Sequence, residues 1–275
     1  MHFDGIKDNV IFDLHNDFPT AIDFGEYNGY VDECKDVALT AAVWTTELKS
    51  NAVDFVLSSV ERLKAVHGNV YSAVEDLGFL CGRDSTAFDF NKFVYCSLTW
   101  NRANRFAGGA LEDGVLTSDG ERLIKYMNGK CAVDLAHIGK SAFYAVLDAA
   151  QKPICSHTGF ADHPRCLNDN MIRALTRRNA LIGLCAVKTF TGAETADRWA
   201  ESVDRFVQSY GIDCLCVGTD FNGTYDLPHD LCEYAHFEKV RYKLISLGYS
   251  ADDIDKIFYK NAKRFCEEIQ NERHL

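Results

Sequence analysis

Eight short, near-continuously apolar runs punctuate this chain, and helical patterns fill most of the intervals between them. The runs are Val10–Leu14, Val37–Trp44, Val70–Val74, Phe93–Leu98, Cys131–Ala136, Pro153–Ser156, Leu181–Ala186 and Cys214–Gly218. Each is β-rich and lacks strict polar alternation, the pattern of parallel strands buried on both faces. The intervals Asn51–His67, Ser118–Met127, Ser141–Ala150, Asp169–Arg178, Thr195–Tyr210 and Asp230–Leu247 read as helices. In the first of these, Val53, Val56, Leu57, Val60 and Leu63 recur at three-and-four spacing. Thr117 or Ser118 suits the N-cap of the second helix, and Asp169 that of the fourth. Ser250–Ile269 reads as a closing helix or pair, and the interval between the third and fourth runs holds one turn.

Strands that alternate with helices specify an α/β fold, and eight of them a (β/α)8 TIM barrel, with an open doubly wound sheet as the alternative. Two features favour the barrel. No Gly-x-Gly-x-x-Gly follows the first run, and polar residues stand at the exits of many runs rather than at one switch point. The 275 residues fit a single barrel domain, 1–275, with C-terminal helices, and 47% hydrophobic residues supply a large core.

A net charge of −11 argues against nucleic acid and anionic membranes as partners, since both select basic surfaces. The first residues show neither a basic region nor a long apolar region, and no run is long enough to span a bilayer. A cytoplasmic location is therefore expected. Eleven cysteines, mostly inside apolar runs and without a Cys-x-x-Cys, read as reduced core thiols.

The chemistry concentrates at the exits of the runs. His15 and Asp17, two residues apart after the first, share a face in a regular strand. Alone, such a pair is more often a surface feature than a ligand set. The third, fifth, sixth and eighth exits add Glu75, His137, His157 and Asp220. Imidazoles and carboxylates converging on one barrel face fit one or two divalent cations with a further carboxylate nearby. Alternation points Asp76 away from Glu75, Asp134 suits a support for a ligand, and His163 a support for the loop carrying Arg165. His229 follows the eighth run and could reach the mouth, whereas His67, His236 and His274 read as solvated. Arg173, Arg177 and Arg178 read as an exposed helix face.

In this order, Asp13-Leu14-His15-Asn16-Asp17, Asp134-Leu135-Ala136-His137, Ser156-His157, His163-Pro164-Arg165 and Gly218-Thr219-Asp220-Phe221-Asn222-Gly223 resemble the signature blocks of the membrane dipeptidase (renal dipeptidase, M19-type) family. Tyr249–Ile254 and Asn261 resemble its closing helices, and the likeness is to short, soluble bacterial members. The resemblance implies a barrel of the metal-dependent hydrolase type holding two divalent metal ions, Zn2+ first among them. His15 and Asp17 would hold one, His137 and His157 the other, with Glu75 bridging and a metal-bridging hydroxide as nucleophile. Asp220 would accept the proton and pass it to the leaving amine. Arg165 would clamp the terminal carboxylate of a dipeptide.

The implied activity is hydrolysis of small dipeptides, with tolerance of a C-terminal D-residue. Another carboxylate-bearing amide, or dipeptide binding without turnover, is the alternative, and a homodimer is compatible with the resemblance. Phosphoesterase barrels fit less well because no His-x-His occurs. Trp100 departs from the family, whose best-known members carry a histidine there. Trp can contact substrate and donate one hydrogen bond but cannot act as an acid. Asp76-Leu77 after Glu75, Asn222 in place of an acidic residue, and shortened spacings from Asp17 to Glu75 and from His157 to Arg165 are further departures.

Overall fold

The computed structural model describes residues 10–19, 37–45, 51–66 and 70–272. Its eight strands are β1 (Ile11–Asn16), β2 (Val37–Trp44), β3 (Val70–Glu75), β4 (Tyr95–Ser97), β5 (Ala132–Asp134), β6 (Pro153–Thr158), β7 (Ile182–Leu184) and β8 (Leu215–Val217). They pair in parallel in the order β1 to β8. The ring closes through a parallel bridge between Asn16 and Phe221. Asp17 N donates to Phe221 O at 2.9 Å, and Asp220 N to His15 O at 3.1 Å. This is the (β/α)8 barrel that the eight runs imply.

Two apolar layers explain why those runs are apolar on both faces. One lies between strands and helices and includes Ile11, Leu39, Val74, Cys96 and Val133. The other fills the barrel and includes Phe12, Leu14, Ala42, Ala73, Tyr95, Ile154 and Cys216.

The helices are α1 (Ala52–Val66), α2 (Ser118–Met127), α3 (Phe143–Ala149), α4 (Asp169–Arg177), α5 (Lys188–Thr191), α6 (Ala196–Tyr210), α7 (Phe237–Ser246), α8 (Ala251–Asp255) and α9 (Asn261–Glu272). Thr117 caps α2 and Thr195 caps α6. Asn168 rather than Asp169 accepts from the first turn of α4, because Asp169 is already helical. The helix expected from Asp230 begins only at Phe237, after a short 3-10 turn over Tyr234–His236. Three such turns, each capped by an aspartate, occupy the interval between β3 and β4. The closing helix is α8 and α9 joined through a π-turn over Lys256–Lys260.

The α9 residues Ala262, Phe265, Cys266 and Ile269 pack into the interior layer and plug the barrel at the end remote from the strand exits. Asn261 fixes this plug by donating through Nδ2 to Ile212 O and Leu215 O, both at 2.9 Å. Farther up, a Cβ on Gly183 would lie 1.9 Å from Ser156 O, and one on Gly218 2.1 Å from it. Glycine at both positions lets β6, β7 and β8 close around that carbonyl.

Candidate metal centre and active site

His15 and Asp17 do meet, but plain alternation does not bring them together. Phe12 and Leu14 already occupy the barrel interior, which by alternation would turn His15 outward. The β1–β2 register shifts between Asp13 and Asn16, and this irregularity re-aims His15 into the mouth. A similar shift between Cys155 and Thr158 accompanies His157 on β6. His137 and Asp220 sit just past β5 and β8 at φ 63° and 64°, a left-handed conformation that costs non-glycine residues energy and gathers at functional sites.

The six candidate side chains converge. His15 Nε2 lies 3.6 Å from Asp17 Oδ2 and 3.9 Å from both Glu75 Oε1 and Asp220 Oδ1. Glu75 Oε1 is 2.7 Å from His137 Nε2 and 3.6 Å from His157 Nε2. Three overlapping donor groups result: His15, Asp17 and Glu75; Glu75, His137 and His157; and His15, His157 and Asp220. Glu75 belongs to two of them.

All three imidazoles turn Nε2 inward because their Nδ1 atoms are engaged outside. His15 Nδ1–H donates to Tyr95 OH at 2.8 Å, since that hydroxyl gives its own proton to Leu14 O. Ser156 donates through Oγ to Asp134 Oδ2 at 2.5 Å, leaving Oγ to accept from His157 Nδ1–H at 2.9 Å. His137 Nδ1–H donates to Asn101 Oδ1 at 3.0 Å. The inward Nε2 is the atom each imidazole offers to a metal ion: His137 and His157 present it as a lone pair, and His15 would do so once the ion replaced the proton that its carboxylate neighbours favour.

These residues fit divalent metal ions. Buried His15 Nε2 and Asp17 Oδ1 have no hydrogen-bond partner. A Cβ on Gly223 would lie 2.1 Å from Asp17 Oδ2 and 2.7 Å from Asp220 Oδ1, so glycine keeps a cradle open beside both carboxylates. The titration behaviour agrees. Burial opposes charge on His15, yet Asp17, Glu75 and Asp220 outweigh it and push the imidazole up to about 10. Burial likewise opposes charge on Glu75, but His137, His15 and Arg165 hold it down to about 2. Burial and Arg165 keep His137 neutral, with a pKa of about 4, and burial with neighbouring charges holds His157 well below the usual range. Burial and Asp17 raise Asp220 well above an ordinary carboxylate. The cluster has an excess of acidic donors and draws a cation.

Arg165 supplies one. Its Nη2 donates to His137 Nε2 and His157 Nε2, both at 2.8 Å, and the guanidinium lies over Phe190, 5.5 Å from the ring centre. It thus stands against the imidazoles in this structure, whereas the family resemblance implies a clamp for a substrate carboxylate. His163 supports this loop, its Nδ1 accepting from Arg165 N at 3.1 Å. Trp100 lies 5.8 Å from the His137 ring and packs on Trp44.

The departures acquire local reasons. Asp76, at φ 68°, caps the following 3-10 turn through Gly78 N instead of entering the cluster. Asn222 donates to Asn16 Oδ1 at 3.0 Å, tying the β8 loop to the β1 exit. Asp13 performs a related task, accepting from Thr219 N, Thr219 Oγ1 and Tyr234 OH. His229 is exposed and lies outside the cavity lining. His67 and His274 lie outside the described residues. Arg178 is exposed and also donates to Leu147 O and Ala150 O. Sequence reasoning missed Tyr95, Asn101 and Trp44. Only Tyr95 leaves a signal, because a tyrosine inside a buried run requires a partner for its hydroxyl.

Asp17, Glu75, His137, Arg165 and Asp220 line a cavity of about 500 Å³ at the strand exits, with His15 and His157 buried behind them. Comparison with known proteins decides its lineage. The model of the membrane dipeptidase family (peptidase family M19) matches residues 92–275. The chain belongs to this family. Dipeptidase tcpJ of Claviceps purpurea is 23% identical over 190 residues, 64% of this chain and 45% of the relative. The chain thus spans about half the length of that curated relative.

Among solved structures, a metallo peptidase from Rhodobacter sphaeroides, liganded with a phosphinate mimic of L-Ala-D-Ala, aligns with a TM-score of 0.77 at 14% identity. That alignment covers 94% of this chain and 98% of the other. The probable dipeptidase PvdM from Pseudomonas aeruginosa aligns with a TM-score of 0.75 at 14% identity, covering 97% and 96%. At such identities these structures speak for the fold of this M19 member. Among the described residues, no helix is long and apolar enough to cross a membrane.

Proposed function

We propose that this M19 member is a metal-dependent dipeptidase that hydrolyses the single peptide bond of a small dipeptide. The observation that carries this reading is the shared orientation of three imidazoles, each with Nδ1 engaged and Nε2 aimed at a common group of carboxylates. His15 and Asp17 would hold one ion, His137 and His157 a second, and Glu75 would reach both; zinc suits this nitrogen and oxygen donor set. Bound divalent ions supply Lewis acidity, polarising the scissile carbonyl and easing the ionisation of water.

The remaining work falls to the chain. Asp220 stands 3.9 Å from His15 Nε2, where its carboxylate can take a proton from the attacking water and return it to the departing amine. Arg165, once drawn from the imidazoles by a carboxylate, can bind it through two parallel N–H bonds. A substrate fixed by that one contact fits the cavity at the barrel mouth as a dipeptide, and a carboxylate anchor leaves the configuration of the terminal residue open.

The test is a metal-loaded preparation assayed against a dipeptide panel that includes C-terminal D-residues. Hydrolysis that disappears on chelation and returns with zinc is expected. A fully loaded protein that cleaves none of the dipeptides removes the reading.

A further inference from the structure

The two sides of the donor cluster carry different chemistry. On the side of β2 and β4 the cavity is lined by Trp44, Trp100 and Leu111. Strand register pairs Trp44 with Glu75, so the indole stands beside the carboxylate at the centre of the cluster. The Trp44 and Trp100 rings lie 5.2 Å apart at 57°, and Trp100 lies 5.8 Å from His137. Both indoles are half-buried, and Leu111, 61% exposed, extends the surface to the rim. Across the barrel, the β7 and β8 loops present the polar Thr189, Asn222, Thr224 and Asp226, with Val187 and Phe190 among them. Arg165 stands at the β5–β6 side of the same cluster.

We propose that Trp44, Trp100 and Leu111 form a binding wall for a large apolar side chain, aromatic above all, on the amino-side residue of the substrate. The proposal rests on the dipeptidase reading. With the carboxylate end at Arg165, the other residue lies across Glu75 and reaches the two indoles. Half-buried aromatic faces at a wet mouth gain most from a flat apolar partner, which removes water from both surfaces. The apolar residues opposite, Val187 and Phe190, lie on the Arg165 side, and the Phe190 ring is already covered by that guanidinium, 5.5 Å from its centre, which leaves the paired indoles as the open aromatic surface away from the carboxylate anchor.

The experiment compares Phe-Gly, Gly-Phe and Ala-Gly on the metal-loaded full chain. It measures kcat and KM for hydrolysis and, by calorimetry, equilibrium binding. Trp44→Ala is expected to lower the Phe-Gly to Ala-Gly ratio of kcat/KM about tenfold, through KM, and Trp44→Phe to recover most of it. Leu111→Ser, at an exposed position that does not threaten folding, should lower the ratio about threefold.

Equal losses on Phe-Gly and Ala-Gly would assign the indoles to packing, and sensitivity of Gly-Phe instead would place the wall at the wrong residue; either result overturns the proposal. Selective Phe-Gly binding without turnover would remove the dipeptidase reading and leave the wall. Turnover without aromatic preference would remove the wall and leave that reading. Neither binding nor turnover removes both.

Discussion

The Nε2 atoms of His137 and His157 face each other at 3.0 Å, each accepting a hydrogen bond from the same Arg165 Nη2. Two inward lone pairs at this separation repel unless positive charge lies against them. A guanidinium in that position marks the place where a divalent ion would meet the same atoms, so ion and arginine compete for it.

Metal affinity therefore responds to Arg165 in a direction opposite to substrate binding. Arg165→Ala should tighten zinc binding about tenfold, by removing a like charge, while raising KM for any dipeptide. Competition against a chromophoric chelator measures the first effect and steady-state kinetics the second. Weaker zinc binding in the variant would show that the arginine supports the centre instead of competing for it.

Removal of an imidazole acts on the centre directly. His157→Ala should lose one ion by elemental analysis, and zinc should no longer raise its Tm as it does that of the native chain. An excess of 100 times Kd stabilises a folded protein by about 2.7 kcal/mol, which for a chain of this size is a shift of a few degrees. An unchanged metal content in His157→Ala would exclude this histidine from the ligand set.

Ser156 touches the centre through His157 Nδ1 at 2.9 Å and, more distantly, His15 Nδ1 at 3.4 Å, and Asp134 reaches it through Ser156. Without the Ser156 hydroxyl, Nδ1 of His157 loses its acceptor and the imidazole its fixed tautomer. Ser156→Ala should weaken metal affinity about 10- to 100-fold with the ligand set intact. It should also destabilise the chain by about 1–3 kcal/mol, because the Asp134 carboxylate would be left short of a donor. Urea unfolding with chelator present separates the two effects. Native affinity in the variant would reduce the hydroxyl to packing.

Asp220→Asn removes the proton acceptor and keeps the side-chain shape. A fall in kcat of about 10²–10⁴ with metal content preserved is expected. If metal is lost in parallel, Asp220 is a ligand, in line with its place in the donor group with His15 and His157.

How much of this was legible in the sequence depends on the kind of physics involved. The barrel could be read because burial on both faces forces apolar runs, and Val37–Trp44 coincides with β2. The converging donors could be read because every strand exit opens on one face. Their aim could not. The β1 irregularity that redirects His15 is a register event, invisible in Asp13–Asp17 itself. The short helix α5, which brings Thr189 and Phe190 to the cavity, spans only four residues and leaves no periodicity. The late start of α7 at Phe237 arises because Tyr234 is held by Asp13 and Asn16, a tertiary demand that overrides helical pattern. Asn101 and Trp44 are named by the fold alone, since neither residue type announces a support or a wall.

The cavity wall around α5 should loosen in acid. Asp226 Oδ2 accepts from Thr189 N at 2.9 Å and Thr189 Oγ1 at 2.6 Å, with Lys188 Nζ 3.6 Å from Oδ1. The Thr189 hydroxyl, and then its backbone N–H and Lys188, hold the carboxyl below the usual carboxylate range. A carboxyl whose pKa is lower folded than unfolded stabilises the fold above its unfolded pKa, and that contribution fades as pH falls through the folded one. Protection of the Thr189 amide against hydrogen exchange, corrected for intrinsic rate, should stay constant from pH 7 to about 5 and decline below about 4. Asp226→Asn, which lacks the titrating group, should show reduced protection with no such step. Should the variant retain the step, another acid anchors this wall, and Asp226 is only its neighbour.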